Sequence, residues 1–537
     1  MIRVLKLGSS VLPSADALAA AVSEIYRFVR RGERVVVVVS ALGDTTDRLL
    51  AHGRERGESG SALACLLATG EAEATALLAL ALDRAGIPAT LLDPVQAGLR
   101  GEGDPLDARL AGVDRAALLG HLQSRPVAVI PGFVARSGDG ATCVLGRGGS
   151  DLTAIAVAAA LGARCRLVKD VPGLAEWDPR RGGSPRIFER IPWGDALLLG
   201  GRVVQEKALR EAEALGLEVE VAALGSDAGT TIGAGIARFA EDPPRGPVRV
   251  GLLGLGTVGL GVYRHLAARP DRFTVTGIAV RDLAKHADDR LAPGLLGADP
   301  WAVLDGCDVV VELMGGLDPA YALVEDSLRR GKVVVTANKR LVADHGESLG
   351  QIPGARLYYS AAVGGALPVL EAVARLAGTV LSIEGVVNGT CNFVLDRLAE
   401  GQGWDDALNG ARAAGFAEAD ASEDLEGRDA AAKLTLLARA AFGRCPEIRR
   451  EGISGLDAEH VRAEAGRGRR IRLVARCDAD SATVGPEALA ASHPLASTRD
   501  EENRVLVTTR TGRIVLHGKG AGRWPTAESV LADLLAL

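Results

Sequence analysis

Val248-Arg249-Val250-Gly251-Leu252-Leu253-Gly254-Leu255-Gly256-Thr257-Val258-Gly259 joins an apolar, β-branched run to three glycines in the spacing G-x-G-x-x-G. The run from Val248 to Leu253 reads as a buried strand, and the pattern from Leu260 to Ala268 reads as a helix. In a strand–turn–helix unit each glycine has its own task. Gly254 permits the tight turn, Gly256 lets the backbone approach a pyrophosphate, and Gly259 lets helix and strand pack closely. The amides of Thr257 and Val258 at the helix N-terminus would then face the phosphate charge. Glycine-rich turns are common, so the spacing alone is weak evidence. The strand before it and the helix after it favour a dinucleotide site over a plain turn.

The same alternation extends in both directions. Val35–Ser40, Val127–Ile130, Arg166–Lys169, Asp308–Glu312 and Lys332–Thr336 also read as buried strands between Ala/Leu-rich helical stretches. That pattern predicts parallel α/β sheets. The strand after the glycine turn, Phe273 to Val280, ends at Arg281-Asp282. An acid at this point suits a ribose hydroxyl, whereas an arginine suits a 2′-phosphate. Arg281 therefore favours NADP(H), and Asp282 keeps NAD(H) open. One stretch breaks the alternation. Ala237 to Pro247 carries three prolines and several charges, so it can neither continue a helix nor join a central strand. It reads as a linker.

Composition bounds the alternatives. At 537 residues the chain has room for roughly three to four domains. Aromatic residues are only 3%, so Ala, Val and Leu must build the cores. The net charge of −6 argues against nucleic acid, which calls for a basic footprint. Seven scattered cysteines without a CxxC pair predict reduced thiols in a cytoplasmic protein. The eight histidines form no HxxxH pair, which argues against zinc. A strand-like start at Ile2 predicts no signal peptide, and no apolar run reads as long enough for a membrane helix.

Asp429-Ala430-Ala431-Ala432-Lys433 sets an acid and a lysine four apart, on one helical face. Alone, such a pair is more often a surface ion pair than a site. Gly415-Phe416-Ala417-Glu418-Ala419-Asp420 and Glu423-Asp424-Leu425-Glu426-Gly427-Arg428 lie just upstream. Several carboxylates gathered near one lysine could hold an α-ammonium group while the lysine serves a reacting oxygen.

With these residues the chain resembles the homoserine dehydrogenases. The resemblance rests on the glycine-phenylalanine-alanine-glutamate stretch followed by D-x-x-G-x-D-x-x-x-K. It also rests on Glu312-Leu313-Met314-Gly315-Gly316, Thr336-Ala337-Asn338-Lys339, Val363-Gly364-Gly365-Ala366-Leu367-Pro368, Asn388-Gly389-Thr390-Cys391-Asn392, His493-Pro494-Leu495-Ala496 and Gly520-Ala521-Gly522-Arg523-Trp524-Pro525-Thr526-Ala527. It implies interconversion of aspartate β-semialdehyde and homoserine, at least a homodimer, and a Rossmann domain followed by an α+β substrate and dimerisation domain. By the resemblance, Lys433 and Lys339 flank the reacting carbonyl, and Glu418, Asp424 and Asp429 hold or orient the substrate. Thr336, Gly315 and Gly316 border the nicotinamide, Lys339 stands at the same end of the cofactor, and Gly522 belongs to the return of the chain to the cofactor domain. Hydride addition leaves negative charge on the aldehyde oxygen, which a buried ammonium can stabilise and protonate. Which lysine gives the proton is open. The resemblance also implies a monovalent cation, Na+ or K+, on backbone carbonyls of Val363 and Gly365, although Ser360 stands where a glutamate is usual.

In the N-terminal half, Val4-Leu5-Lys6-Leu7-Gly8-Ser9-Ser10 runs a strand into a small-residue loop, and Gly146-Arg147-Gly148-Gly149-Ser150-Asp151 opens an Ala-rich helix over 152–161. Each could cradle phosphates, and each alone is as readily a structural turn. Together with Val39-Ser40-Ala41-Leu42-Gly43-Asp44, Gly70-Glu71, Pro131-Gly132-Phe133, Lys169-Asp170-Val171-Pro172-Gly173 and Asp178-Pro179-Arg180, they resemble the amino-acid kinase family, aspartate kinases in particular. That implies a three-layer α/β fold that phosphorylates a β-carboxylate from ATP and Mg2+. Lys6 would stabilise the transferred phosphoryl beside Gly8, Ser9, Ser10, Gly148 and Gly149, and Asp151 would organise the catalytic groups. Glu71 and Arg147 would grip aspartate, and Asp170 to Arg180 would contact the nucleotide. Gly8-Ser9-Ser10 is closer to glutamate 5-kinases, and Val204-Gln205-Glu206 replaces the common leucine-histidine-proline. An inactive scaffold and a glutamate kinase are the alternatives.

The expected organisation is a kinase-like domain over 1–236, a linker over 237–247, a Rossmann domain over 248–358, a catalytic and dimerisation domain over 359–500, and a return to the Rossmann domain over 501–537. This leaves no stretch for paired ligand-sensing domains, so feedback by threonine or lysine through them is not expected. If Arg281 reads a 2′-phosphate, Arg281→Ala should weaken NADPH binding on the order of tenfold or more, the worth of one charge-assisted contact, and leave NADH nearly unchanged. Equal losses for the two cofactors, measured by titration, would exclude that role.

Overall fold

Arg34–Val39 and Val127–Pro131 are, apart from Arg34 and Pro131, runs of Val, Ile and Ala, and these two with Ile2–Leu7 and Arg164–Lys169 are buried along all but their first residues, so both of their faces are covered. In the computed structural model they form the centre of a nine-stranded sheet. Its order is Arg238–Phe239, Phe188–Pro192, Thr230–Gly233, Val219–Ala223, Arg164–Lys169, Ile2–Leu7, Arg34–Val39, Val127–Pro131 and Ala89–Leu91. The structure describes the whole chain except residues 58, 183–184, 200–202, 241–245, 287–288, 418–419 and 521 and the side chain of Arg181. The chain divides into two compact units close to residue 245.

In the first unit, helices such as Leu18–Arg30, Gly60–Arg84 and Gly149–Leu161 pack on this sheet, giving the three-layer α/β arrangement. Two expectations need correction here. Gly60–Arg84 is long and apolar enough to cross a membrane by length and composition, contrary to the sequence reading. Its buried stripe, Leu63, Leu67, Glu71, Ala74, Leu78 and Leu82, faces this sheet, and a run broken by Glu71 and Glu73 escapes a search for uninterrupted apolar residues. The proposed linker also starts too early. Arg238–Phe239 pairs antiparallel with Phe188–Pro192, and the Phe239 ring stacks on Phe188 at 4.4 Å with Arg186 over it. The rest of the linker reading, 241–245, lies outside the described residues.

In the second unit, Val248–Leu253 is the first strand of a six-stranded sheet. Its order is Leu296–Gly297, Phe273–Ala279, Val248–Leu253, Val309–Glu312, Val333–Thr336 and Arg356–Tyr358, all parallel. In chain order this is 3-2-1-4-5-6, the doubly wound arrangement whose ligands bind at the carboxyl ends of the strands. A second six-stranded sheet follows, largely antiparallel: Ile448–Arg450, Ala482–Ala490, Arg469–Cys477, Val380–Val386, Glu502–Thr509 and Gly512–Lys519. Helices Gly389–Ala399 and Arg428–Phe442 pack on it.

The expected return to the nucleotide domain at 501 is therefore too early. The hairpin of Glu502–Thr509 and Gly512–Lys519 extends the antiparallel sheet, because Val505 and Val507 are buried beside Val380–Val386. Only the helix Arg523–Leu535 goes back. It packs on Thr257–Ala267, with Ala527, Val530 and Leu531 in the core of the parallel sheet.

Candidate active sites

Two glycines of the turn meet a steric demand within the chain. Gly254 has φ +100°, and a Cβ there would lie 2.8 Å from the Leu313 carbonyl oxygen. A Cβ on Gly259 would overlap the Gly254 carbonyl, while Gly256 faces open space. The helix begins at Thr257, so the amides of Thr257 and Val258 are those left without partners in its first turn. The turn thus fits a dinucleotide pyrophosphate. Gly315 and Gly316 have φ +71° and +73°, and a Cβ on either would meet nothing within 4 Å, which leaves that side of the loop open to a ligand.

Glu312 ends the neighbouring strand, fully buried, and was not singled out from sequence. Its carboxylate accepts from Thr336 Oγ1 at 2.6 Å and from the Met314 amide at 2.8 Å. Burial pushes its pKa up against those hydrogen bonds. Asn338 then ties the loop to the next helix: its Nδ2 donates to Gly316 O at 2.6 Å and its Oδ1 caps Leu341 N at 3.1 Å. That cap sets the start of the helix Lys339–Gly350 and places Lys339 at its first position. Arg281 is exposed, and Asp282 turns its carboxylate to the amides of Ala284 and Lys285.

At the substrate end, the helix Arg428–Phe442 starts from Gly427 in the left-handed conformation and carries Asp429 in its first turn. Lys433 reaches back one turn to Asp429 Oδ2 at 2.8 Å, and Lys339 meets the other oxygen, Oδ1. Asp429 is 3% exposed, Lys433 10% and Lys339 43%, so the cluster grades from core to surface. Burial alone would raise the Asp429 pKa. Lys433 and Lys339 overcome it and hold the carboxyl well below the usual range. Lys433 also donates to Val387 O at 2.6 Å. Asn388, the cap of the helix Gly389–Ala399, donates from Nδ2 to Asp424 Oδ1 at 2.7 Å and to Asp429 Oδ2 at 2.8 Å. Thr390 Oγ1 lies within hydrogen-bond reach of the Phe416 carbonyl at 2.5 Å and of Asp424 Oδ2 at 2.9 Å. Lys339, Asp424, Asp429 and Lys433 are thus brought together. Asn388 and Thr390 belong with them, although sequence reading left them as motif letters. Glu418 lies outside the described residues. Gly522 caps the returning helix with φ +113°, and Arg523 Nε next to it donates to the Thr257 carbonyl at 3.1 Å.

Val363 and Gly365 lie in the loop after residues 360–362, with Gly365 close against the backbone of Lys519 and Gly520. Ser360 gives its Oγ and its amide to the buried Asp533, at 2.9 and 3.2 Å. Its hydroxyl is thereby engaged with Asp533.

In the first unit, Asp151 stands in the first turn of Gly149–Leu161 between two ammonium groups. Lys6 Nζ is 2.9 Å from Oδ1, and Lys169 Nζ is 2.9 Å from Oδ2. Desolvation acts to raise the Asp151 pKa, and the two lysines more than reverse it. Gly8 faces the Lys6 ammonium, where a Cβ would collide with Nζ. Gly148 has φ +77° and packs against the Gln205 side chain, so the unusual Gln205 borders the glycine loop. Glu71 is buried near Lys6, and burial pushes its carboxyl up to about 8. Lys169 was overlooked as a site residue because its strand reads as uniformly buried. Ser9, Ser10, Arg147, Asp170 and Arg180 are exposed around these groups rather than within the cluster.

A doubly wound sheet with an open glycine turn, beside a lysine–carboxylate cluster on a second α+β layer, defines a nicotinamide-dependent dehydrogenase. It follows a unit whose buried lysines flank a carboxylate. Residues 254–353 match the homoserine dehydrogenase NAD-binding domain, residues 368–535 the homoserine dehydrogenase family, and residues 1–222 the amino acid kinase family. The chain is 40% identical to a homoserine dehydrogenase of Corynebacterium glutamicum, over 55% of this chain and 73% of that one. It is 36% identical to one of Synechocystis, over 54% and 72%. A solved homoserine dehydrogenase of Thiobacillus denitrificans superposes with a TM-score of 0.51 at 38% identity, covering 54% of this chain and 72% of that one. The chain belongs to the homoserine dehydrogenase family and carries an amino acid kinase domain ahead of it.

Glu71 has a consequence for stability. It is an acid with a raised folded pKa, so the unfolded chain loses its proton near 4.5 and the folded chain only near 8. Stability is therefore full below 4.5, falls as pH rises through that window and levels above 8. Glu71→Gln should match wild type near pH 5 and exceed it near pH 8 by more than about 1 kcal/mol. A constant difference in the urea unfolding midpoint of this unit across pH 5–8 would contradict the assignment.

Proposed function

We propose that residues 248–537 interconvert homoserine and aspartate β-semialdehyde with NADP(H), and that residues 1–236 transfer phosphate from ATP·Mg2+ to the aspartate β-carboxylate. The observation that carries the first reading is the Asp429 carboxylate shared by Lys339 and Lys433 beside the carboxyl ends of the nucleotide-binding strands. The nicotinamide, when bound, gives or takes the hydride. The protein's part is charge and proton control. Lys433, buried and fixed by Val387 O and Asp429, supplies standing positive charge for the oxygen on which charge develops. Lys339 shares the same carboxylate and is more exposed, so it can pass a proton between that oxygen and water. Asp424 supplies the counter-charge for the substrate ammonium. Arg281 supports the preference for NADP(H), because Asp282 already serves its own turn.

For the kinase half, Lys6 and Lys169 against Asp151 leave one positive charge in excess while Glu71 stays protonated. That suits a transferring phosphoryl group, whose catalysis is mostly positioning and charge cancellation. An incoming ammonium would ionise Glu71, which couples acceptor binding to its charge.

Lys433→Ala should lower homoserine oxidation about 10²-fold or more with NADPH binding retained. Near-normal turnover would remove Lys433 from the reaction. For the other half, ATP and aspartate with hydroxylamine should give a hydroxamate that Lys6→Ala does not form. No product from wild type with aspartate, while its dehydrogenase is active, would overturn the aspartate kinase reading. Product with glutamate alone would make it a glutamate kinase.

A further inference from the structure

Two carboxylates of unlike duty stand close together at the substrate end. Asp429 neutralises two lysines, and Asp424, half-buried, faces the position argued for the substrate ammonium. Side by side, two such groups repel and turn toward any cation within reach. Asp424 would swing to a lysine and be lost to the substrate unless something held it.

One side chain lies between them. Asn388 is 4% exposed and follows Val387, whose carbonyl accepts from Lys433, just after the strand Val380–Val386. An amide nitrogen has two hydrogens. Here one goes to Asp424 Oδ1 at 2.7 Å and the other to Asp429 Oδ2 at 2.8 Å. The amide cannot be turned over, because its oxygen accepts from Cys391 N at 2.9 Å and caps the helix Gly389–Ala399. A reversed amide would present its oxygen to two anions and its nitrogen to an N–H. Helix capping thus fixes the orientation in which one amide group bridges both carboxylates. Thr390 Oγ1, two residues on, lies 2.9 Å from the second oxygen of Asp424 but 2.5 Å from the Phe416 carbonyl, and it has one hydrogen to give, so the Asn388 amide is the tie that bridges the two carboxylates.

We propose that Asn388 is a positioning residue for substrate selection: it keeps Asp424 apart from the Asp429–lysine cluster and available to the α-ammonium group of the amino-acid substrate. The inference rests on the dehydrogenase reading above. It makes the selectivity for an α-amino substrate depend on a residue that does not touch the reacting atoms.

Asn388→Ser keeps a capping oxygen and the small size but cannot bridge both carboxylates. It should raise the KM for homoserine tenfold or more, with the KM for NADP+ unchanged within twofold. Asn388→Asp keeps the cap and the shape, removes both donors and adds a third negative charge, and should cost more still, about 10²-fold in kcat/KM for homoserine. A residue that merely props up the fold would weaken both substrates together. The decisive reading is a double-mutant cycle with Asp424→Asn, in which the Asn388→Ser penalty should shrink to less than threefold. A wild-type homoserine KM in Asn388→Ser, or the same penalty with and without Asp424→Asn, would overturn the proposal while leaving the dehydrogenase reading in place. A wild-type chain unable to oxidise homoserine would overturn both.

Discussion

The shared Asp429 carboxylate is the interaction on which the second unit depends. Burying a carboxylate is expensive unless it is paired and hydrogen-bonded. Here two of the partners come from places far apart in the chain, Lys339 after a strand of the parallel sheet and Asn388 after a strand of the antiparallel sheet, and the third, Lys433, lies one helical turn away. The helix N-terminus adds favourable dipole at Asp429. A fold that failed to join the two sheets would strand that charge. Forming the site and joining the two layers are therefore one event energetically.

The first unit uses the same elements with a different balance. Asp151 also stands in a first helical turn between two lysines. Both lysines there come from adjacent strands of one sheet, paired through Lys6 and Leu167 and their neighbours, so the cluster is rigid and keeps excess positive charge. The dehydrogenase cluster adds Asp424 and comes closer to neutrality, which suits an uncharged carbonyl carried by a substrate with its own ammonium group.

Much of this was legible in the residues because it is local. The glycine spacing announces a turn in which Gly254 and Gly259 stand where a side chain would not fit, and Asp429 and Lys433 announce a shared helical face. Four strands of the parallel sheet were found within a residue or two from their β-branched runs, while the short edge strands Leu296–Gly297 and Arg356–Tyr358 were not read. What escaped depends on contacts across the fold. Asn388 and Glu312 look like ordinary cap and strand-end residues until their partners, 41 and 24 residues away, arrive. The hairpin of Glu502–Thr509 and Gly512–Lys519 was given to the wrong domain because strand alternation does not say which sheet a strand joins. The two residues Arg238–Phe239 were given to a linker because a two-residue edge strand has no periodicity to read.

The central claim is that Asp429 holds both lysines in place for hydride transfer. It is tested most directly by the rate of homoserine oxidation in Asp429→Asn, set against NADPH affinity in the same protein. The account predicts a fall of roughly 10²-fold or more in turnover with NADPH binding retained, since the amide cannot balance two ammonium groups. Turnover close to wild type would show that the lysines work without their shared carboxylate and would contradict it.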